Sequence, residues 1–176
     1  MNRREAVQRI TLLMGGALSA PAMAGILGQK TNLGESVQVS AQQEAMLAEL
    51  ADVIIPTTST PGAKAAGAEK FIVRVMRDCY PMEDQKKFYA GLARFDSECI
   101  GAHGKGFMSL NADQKIDMVK KLTTTDQAFF RRMKELTVTG YFTSEVGASQ
   151  ALEYVEVPGR LEACIPYKKG QKAWAL

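Results

Sequence analysis

The sequence predicts an all-α fold: a small domain of about five helices followed by an irregular arm containing proline and glycine. Three observations predict it. Apolar residues recur at spacings of three and four along five segments, and residues that start and stop helices bracket those segments. No segment shows a convincing alternation of period two, the mark of a half-buried strand.

The first helix is expected over residues 41–55, with Met46, Leu47, Leu50, Val53 and Ile54 as its apolar stripe. Ser40 and Gln43 have the spacing of a capping box, in which the serine oxygen accepts from the third amide and the glutamine reaches back. Pro56 ends this helix, and "TTSTPG" (57–62) reads as a loop. The second helix is expected over 64–79, with Phe71, Ile72, Val75, Met76 and Cys79 along one face. Pro81 suits the first turn of a third helix, because its missing N–H costs nothing there. In that helix Phe88, Leu92, Phe95 and Cys99 form a narrow stripe, and "GAHGKG" (101–106) ends it. Asn111 and Gln114 make a second capping pair, opening a fourth helix with Ile116, Val119 and Leu122. The fifth starts near Asp126, buries Phe129 or Phe130 with Met133 and Leu136, and is expected to close at Gly140. A short helix around 144–154 then gives way to a tail punctuated by Pro158, Gly159 and Pro166.

The N-terminus, "MNRREAVQRITLLMGGALSAPAMAGILG", has the three parts of an export signal. Arg3, Arg4 and Arg9 are the basic region, 10–18 the apolar region, and "APA" or "AMA" (20–24) the small-residue cleavage site. The paired Arg3 and Arg4 before a modest, glycine-containing apolar region resemble a twin-arginine signal, which addresses folded cargo to the Tat translocon. The expected organisation is therefore a twin-arginine-type signal at 1–24, a linker at 25–39 and one helical domain at 40–176. An uncleaved leader acting as a membrane anchor is the alternative, since no charge interrupts the run from Ile10 to Gly28. Gly15, Gly16 and Pro21 within that run count against it, and against a buried core helix.

Charge narrows the function classes. Three arginines against Glu5 give the leader +2 of the net +3, leaving the body at +1. That near-neutral body argues against an electrostatically driven nucleic-acid binder. Hydrophobic residues make up 46% of the chain, enough to bury a core.

A signal for folded cargo raises the expectation of a cofactor, yet the body shows no haem-attachment motif, no dinucleotide fingerprint and no P-loop. Cys79, Cys99 and Cys164 are too few and too scattered for an iron–sulfur cluster. His103, the sole histidine, sits in a glycine-rich turn and reads as a solvated loop residue without a nucleophile to serve. Glu49 and Asp52 read as the solvated side of the first helix, and Lys120–Lys121 and Arg131–Arg132 as exposed helix surface. The loop "TTSTPGAKAAGAEKF" lacks the glycine spacing of a phosphate cradle and reads as a structural turn. No catalytic, cofactor-binding or metal-ligating residue is expected, so the cargo is expected to be another polypeptide.

Three blocks carry a family resemblance: "ELADVIIPTTSTPGAKAAGAEKFI" (49–72), "FYAGLARFDSECIGAHGKGFMSLNADQK" (88–115) and "FFRRMKELTVTGYFTSEVGASQALEYVEVPGRLEACIPY" (129–167). Together they resemble the gluconate 2-dehydrogenase subunit 3 family, the small or gamma subunit of flavin-dependent sugar and polyol dehydrogenases. The resemblance implies a non-catalytic partner of a large FAD-dependent flavoprotein of the glucose–methanol–choline type, with a cytochrome c subunit as a further possible member. It implies that FAD is held by the partner, and that the complex is exported by the Tat pathway to the periplasm or the periplasmic face of the inner membrane. The arm is then expected to lie along the partner, with Tyr141, Phe142, Tyr154 and Leu161 as anchors or else as packing for its own helices. In an oxidising compartment three cysteines leave at least one unpaired. Cys79 and Cys99 read as buried free thiols, and Cys164 as either a further buried thiol or one half of an inter-subunit disulfide. An independent helical scaffold protein of the cell envelope, retained by an uncleaved leader, is the competing reading.

Overall fold

The structure, a computed structural model, describes residues 36–157, 159, 166 and 169–175. Arg3, Arg4 and the rest of the leader, with Leu161 and Cys164 of the arm, lie outside the described residues. The chain divides into Met1–Ser36 and Val37–Leu176, and every element described belongs to the second unit.

Among the described residues five α-helices dominate: α1 (Ala41–Ile54), α2 (Ala68–Cys79), α3 (Met82–His103), α4 (Ala112–Thr125) and α5 (Gln127–Phe142). The all-α expectation holds. Both capping boxes form, with Ser40 Oγ accepting from the Gln43 N–H at 3.2 Å and Asn111 Oδ1 from the Gln114 N–H at 2.8 Å. Each satisfies amides that a helix start otherwise leaves to water. Asp126 caps α5 through the Phe129 N–H. α5 contacts each of the other four helices, and their shared core is built on Leu47, Leu50, Ile72, Phe95, Met133 and Tyr141. The α3 stripe of Phe88, Leu92, Phe95 and Cys99 is buried as expected.

Four details of these helices differ from the sequence reading. α2 starts at Ala68, not 64, because residues 63–67 form turns that end in Gly67 at φ 70°, a left-handed conformation no helix continues through. Its buried series runs Ala68, Ile72, Met76 at i+4 steps and passes next to half-buried Tyr80, which turns Cys79 out to solvent. On α4 the buried positions are Met118, Val119 and Leu122, which leaves Ile116 exposed. Gly140 does not close α5. The helix runs on to Phe142, and Gly140 is needed because a Cβ there would lie 2.7 Å from the Phe71 ring.

A 3-10 turn (Phe107–Ser109) links α3 to α4, and Phe107 fills the core beneath it, 5.1 Å from the Phe95 ring centroid. After α5 the short helix expected around 144–154 forms over 145–151 and is π-helical from Gly147 to Ala151. It leads into strand β1 (Glu153–Tyr154), which pairs in parallel with β2 (Trp174–Ala175), Glu153 opposite Trp174 and Tyr154 opposite Ala175. Two residues per strand are too few to show as alternation in the sequence.

Candidate functional site

The apolar surface after α5 is the strongest candidate site. Five large apolar side chains stand in water there: Phe142, Tyr154 (59% exposed), Val155, Val157 (79%) and Trp174 (49%). Burying such groups is worth about 1.5–3 kcal/mol each, so a partner that covered them would gain from the contact. The β1–β2 pair that carries Tyr154 and Trp174 on opposite faces has no third strand among the described residues. A pair this short has little independent stability and gains from a neighbour.

The expected anchors separate in the structure. Phe142 and Tyr154 are exposed. Tyr141 is not an outward anchor: it is 2% exposed, and its hydroxyl donates to the Pro61 carbonyl at 2.8 Å, tying α5 to the loop after α1. Phe142 packs edge-on against it, ring centroids 5.1 Å apart, which fixes Phe142 in its outward position. Val155, Val157 and Trp174 are members that sequence reasoning missed. Their signal was the apolar Tyr154, Val155 and Val157 close together in a short polar stretch, and a lone tryptophan in the tail.

The other chemistry-bearing residues take structural positions. Glu49 is not solvated; its side chain is 20% exposed, and it is paired with Lys64 and, at 2.6 Å, with Lys115. Hydrogen bonds from Lys115 first, then Lys64, hold its carboxyl below the ordinary carboxylate range. A carboxylate committed to two lysines is a poor general base. Lys115 also stands 5.6 Å over the Phe107 ring, so the cluster joins α1, α4 and the 3-10 turn. Gln85, 3% exposed, accepts from the Val37 N–H at 3.0 Å and donates to the Tyr80 carbonyl at 2.8 Å, fastening the segment before α1 to α3. His103 is exposed on the last turn of α3. In the 56–67 loop the Thr57 hydroxyl accepts from the Gly62 N–H at 2.9 Å, the structural turn expected. Among the described residues no group of three or more His, Cys, Asp or Glu could hold a metal ion, and no helix is long and apolar enough to cross a membrane.

Cys79 and Cys99 are both free, in opposite settings. Burial pushes the Cys99 thiol up to about 11, while Cys79 faces water. In native chain carrying Cys164→Ser, a thiol reagent at neutral pH is expected to modify Cys79 and leave Cys99 intact until denaturant is added. Equal native rates at both would contradict this packing of α3.

The family profile described as Gluconate 2-dehydrogenase subunit 3 matches residues 41–159, from the first residue of α1 to just beyond β1. No curated protein and no solved structure matches the chain. A match over more than half of the sequence settles the family: this chain belongs to the gluconate 2-dehydrogenase subunit 3 family.

Proposed function

We propose that this chain is the non-catalytic small subunit of an FAD-dependent sugar or sugar-acid dehydrogenase. On this reading it carries the folded flavoprotein on its own twin-arginine leader to the periplasm, or to the periplasmic face of the inner membrane, and stabilises it there. The family match over residues 41–159 is the observation that carries the reading. The leader supports it, because a flavoprotein that folds around FAD before export and lacks a signal of its own needs one on something bound to it. The exposed apolar side chains after α5 support it as well. An escort must hold its cargo through the crossing, which calls for an interface of about 1,600 Å² in total with a desolvated centre. Tyr154 and Trp174 are the aromatic anchors proposed for it, one on each face of the β1–β2 pair, with Phe142, Leu161 and Cys164 as further proposed contacts. FAD belongs to the partner, and a cytochrome c subunit is the third member the complex accommodates.

Co-purification from cells expressing both subunits tests the interface. Tyr154→Ser with Trp174→Ser is expected to lower the yield of complex at least about tenfold, since two interface aromatics commonly carry about 2 kcal/mol or more each. An undiminished yield would remove the arm from the interface.

A further inference from the structure

A second surface, on α5, has the chemistry of a docking site. Arg131, Arg132, Lys134 and Glu135 lie exposed along its outer face and line a shallow trough with Val138 and Thr139. Three cations there face one carboxylate, and among the described residues none of the three forms an ion pair. Two neighbouring cations do: Arg94 is paired with Asp126 at 2.6 Å and Lys87 with Glu83 at 2.9 Å.

Beside the trough, sharing Ala128 and Arg132 with it, lies a groove of about 360 Å³. Met76, Tyr80, Phe88 and Phe129 form its base, from the end of α2, the start of α3 and the start of α5. Asp84, Lys87, Arg94 and Asp126 are the other charged groups facing it. Arg132 stands at the junction, its guanidinium carbon 4.7 Å over the Tyr80 ring centroid and one nitrogen on the Tyr80 hydroxyl. Stacking holds a guanidinium in place while leaving its other N–H donors free for a carboxylate.

Apolar base and cationic flank together describe one occupant. We infer that the groove and the outer face of α5 dock an acidic segment of the partner flavoprotein, one aromatic or aliphatic side chain entering the groove and carboxylates meeting Arg131, Arg132 and Lys134. The volume falls in the range that takes a side chain or two rather than a folded element. The body as a whole carries only +1, so this surplus is local and suits recognition of one acidic stretch, not a polyanion. The inference rests on the accessory-subunit reading and adds to it the chemistry of a second contact.

Affinity between the full-length chain and the FAD-bearing subunit, measured at low and high salt, tests it. Arg131→Glu with Lys134→Glu touches neither Tyr80 nor the core, and is expected to weaken binding at least about tenfold and to flatten its salt dependence. Arg132→Lys keeps the charge but loses the planar stack, and is expected to weaken binding severalfold. Unchanged circular dichroism and thermal midpoints separate these effects from misfolding. If the wild-type subunits bind but both variants match them at either salt, the α5 surface is not the contact, and the accessory-subunit reading stands. If the wild-type subunits do not associate, both fall. If the chain alone binds phosphatidylglycerol vesicles and the double variant does not, the surface is a membrane contact and the inference is overturned.

Discussion

Replacing Arg3 and Arg4 together by lysine is expected, on the escort role proposed above, to leave both this chain and the flavoprotein it carries in the cytoplasm. The change keeps both positive charges, so a signal read only as a basic region would survive it. A twin-arginine signal depends on the paired, planar guanidinium groups, whose fork of donors an ammonium does not reproduce. Cell fractionation followed by immunoblotting of both subunits reads the result, and the expected effect is near-complete loss of the exported pool. Export of the flavoprotein at the wild-type level would show that it travels by another signal, and the escort role would be wrong.

Gly147→Ala is expected to be among the most damaging single substitutions in the folded domain. A Cβ at Gly147 would lie 1.9 Å from the Tyr141 carbonyl oxygen, 2.7 Å from its carbonyl carbon and 3.1 Å from the Phe142 Cα. All three are backbone atoms of the last turn of α5, so no rotamer change relieves the contact. The π-helical turn must move away from α5, taking with it the Ser144 hydroxyl that accepts from the Gly147 N–H at 3.0 Å. The expected loss is about 3 kcal/mol, at the upper end for overpacking, with a weaker hold on β1 and its exposed apolar residues. Gly101→Ala is the control. Nothing lies within 4 Å of its added carbon, and α3 should gain about 0.5–1 kcal/mol from the better helix former. Urea midpoints compare the three proteins. A Gly147→Ala midpoint equal to wild type would mean the turn does not pack against α5 as described.

What the sequence disclosed was mostly local. Both capping boxes were legible because every partner lies within three residues of the cap. The α3 stripe was legible because a long helix keeps its phase over several turns. Helix ends were harder. Periodicity could not choose between Cys79 and Tyr80, since the bend into α3 decides which of two adjacent positions meets the core. The same ambiguity affected Tyr141 and Phe142, where the Pro61 carbonyl, 80 residues away in sequence, selects Tyr141 for the inside. Gly140 carried the signal of a stop but serves a close approach by Phe71. Glu49 read as solvated because its lysines come from 15 and 66 residues downstream. At the candidate site the exposed aromatics were half visible: Phe142 and Tyr154 stood out by type, while Trp174 comes to β1 only through the parallel pairing of the two strands.

The division of labour is the centre of the account, and the location of flavin and turnover tests it most directly. The chain purified alone, and the complex purified from cells expressing both subunits, would be compared for flavin absorbance and for sugar-dependent reduction of an artificial dye. Neither signal is expected from the chain alone, and both are expected from the complex. Flavin bound to the isolated chain, together with dye reduction by it in the presence of a sugar, would contradict this division.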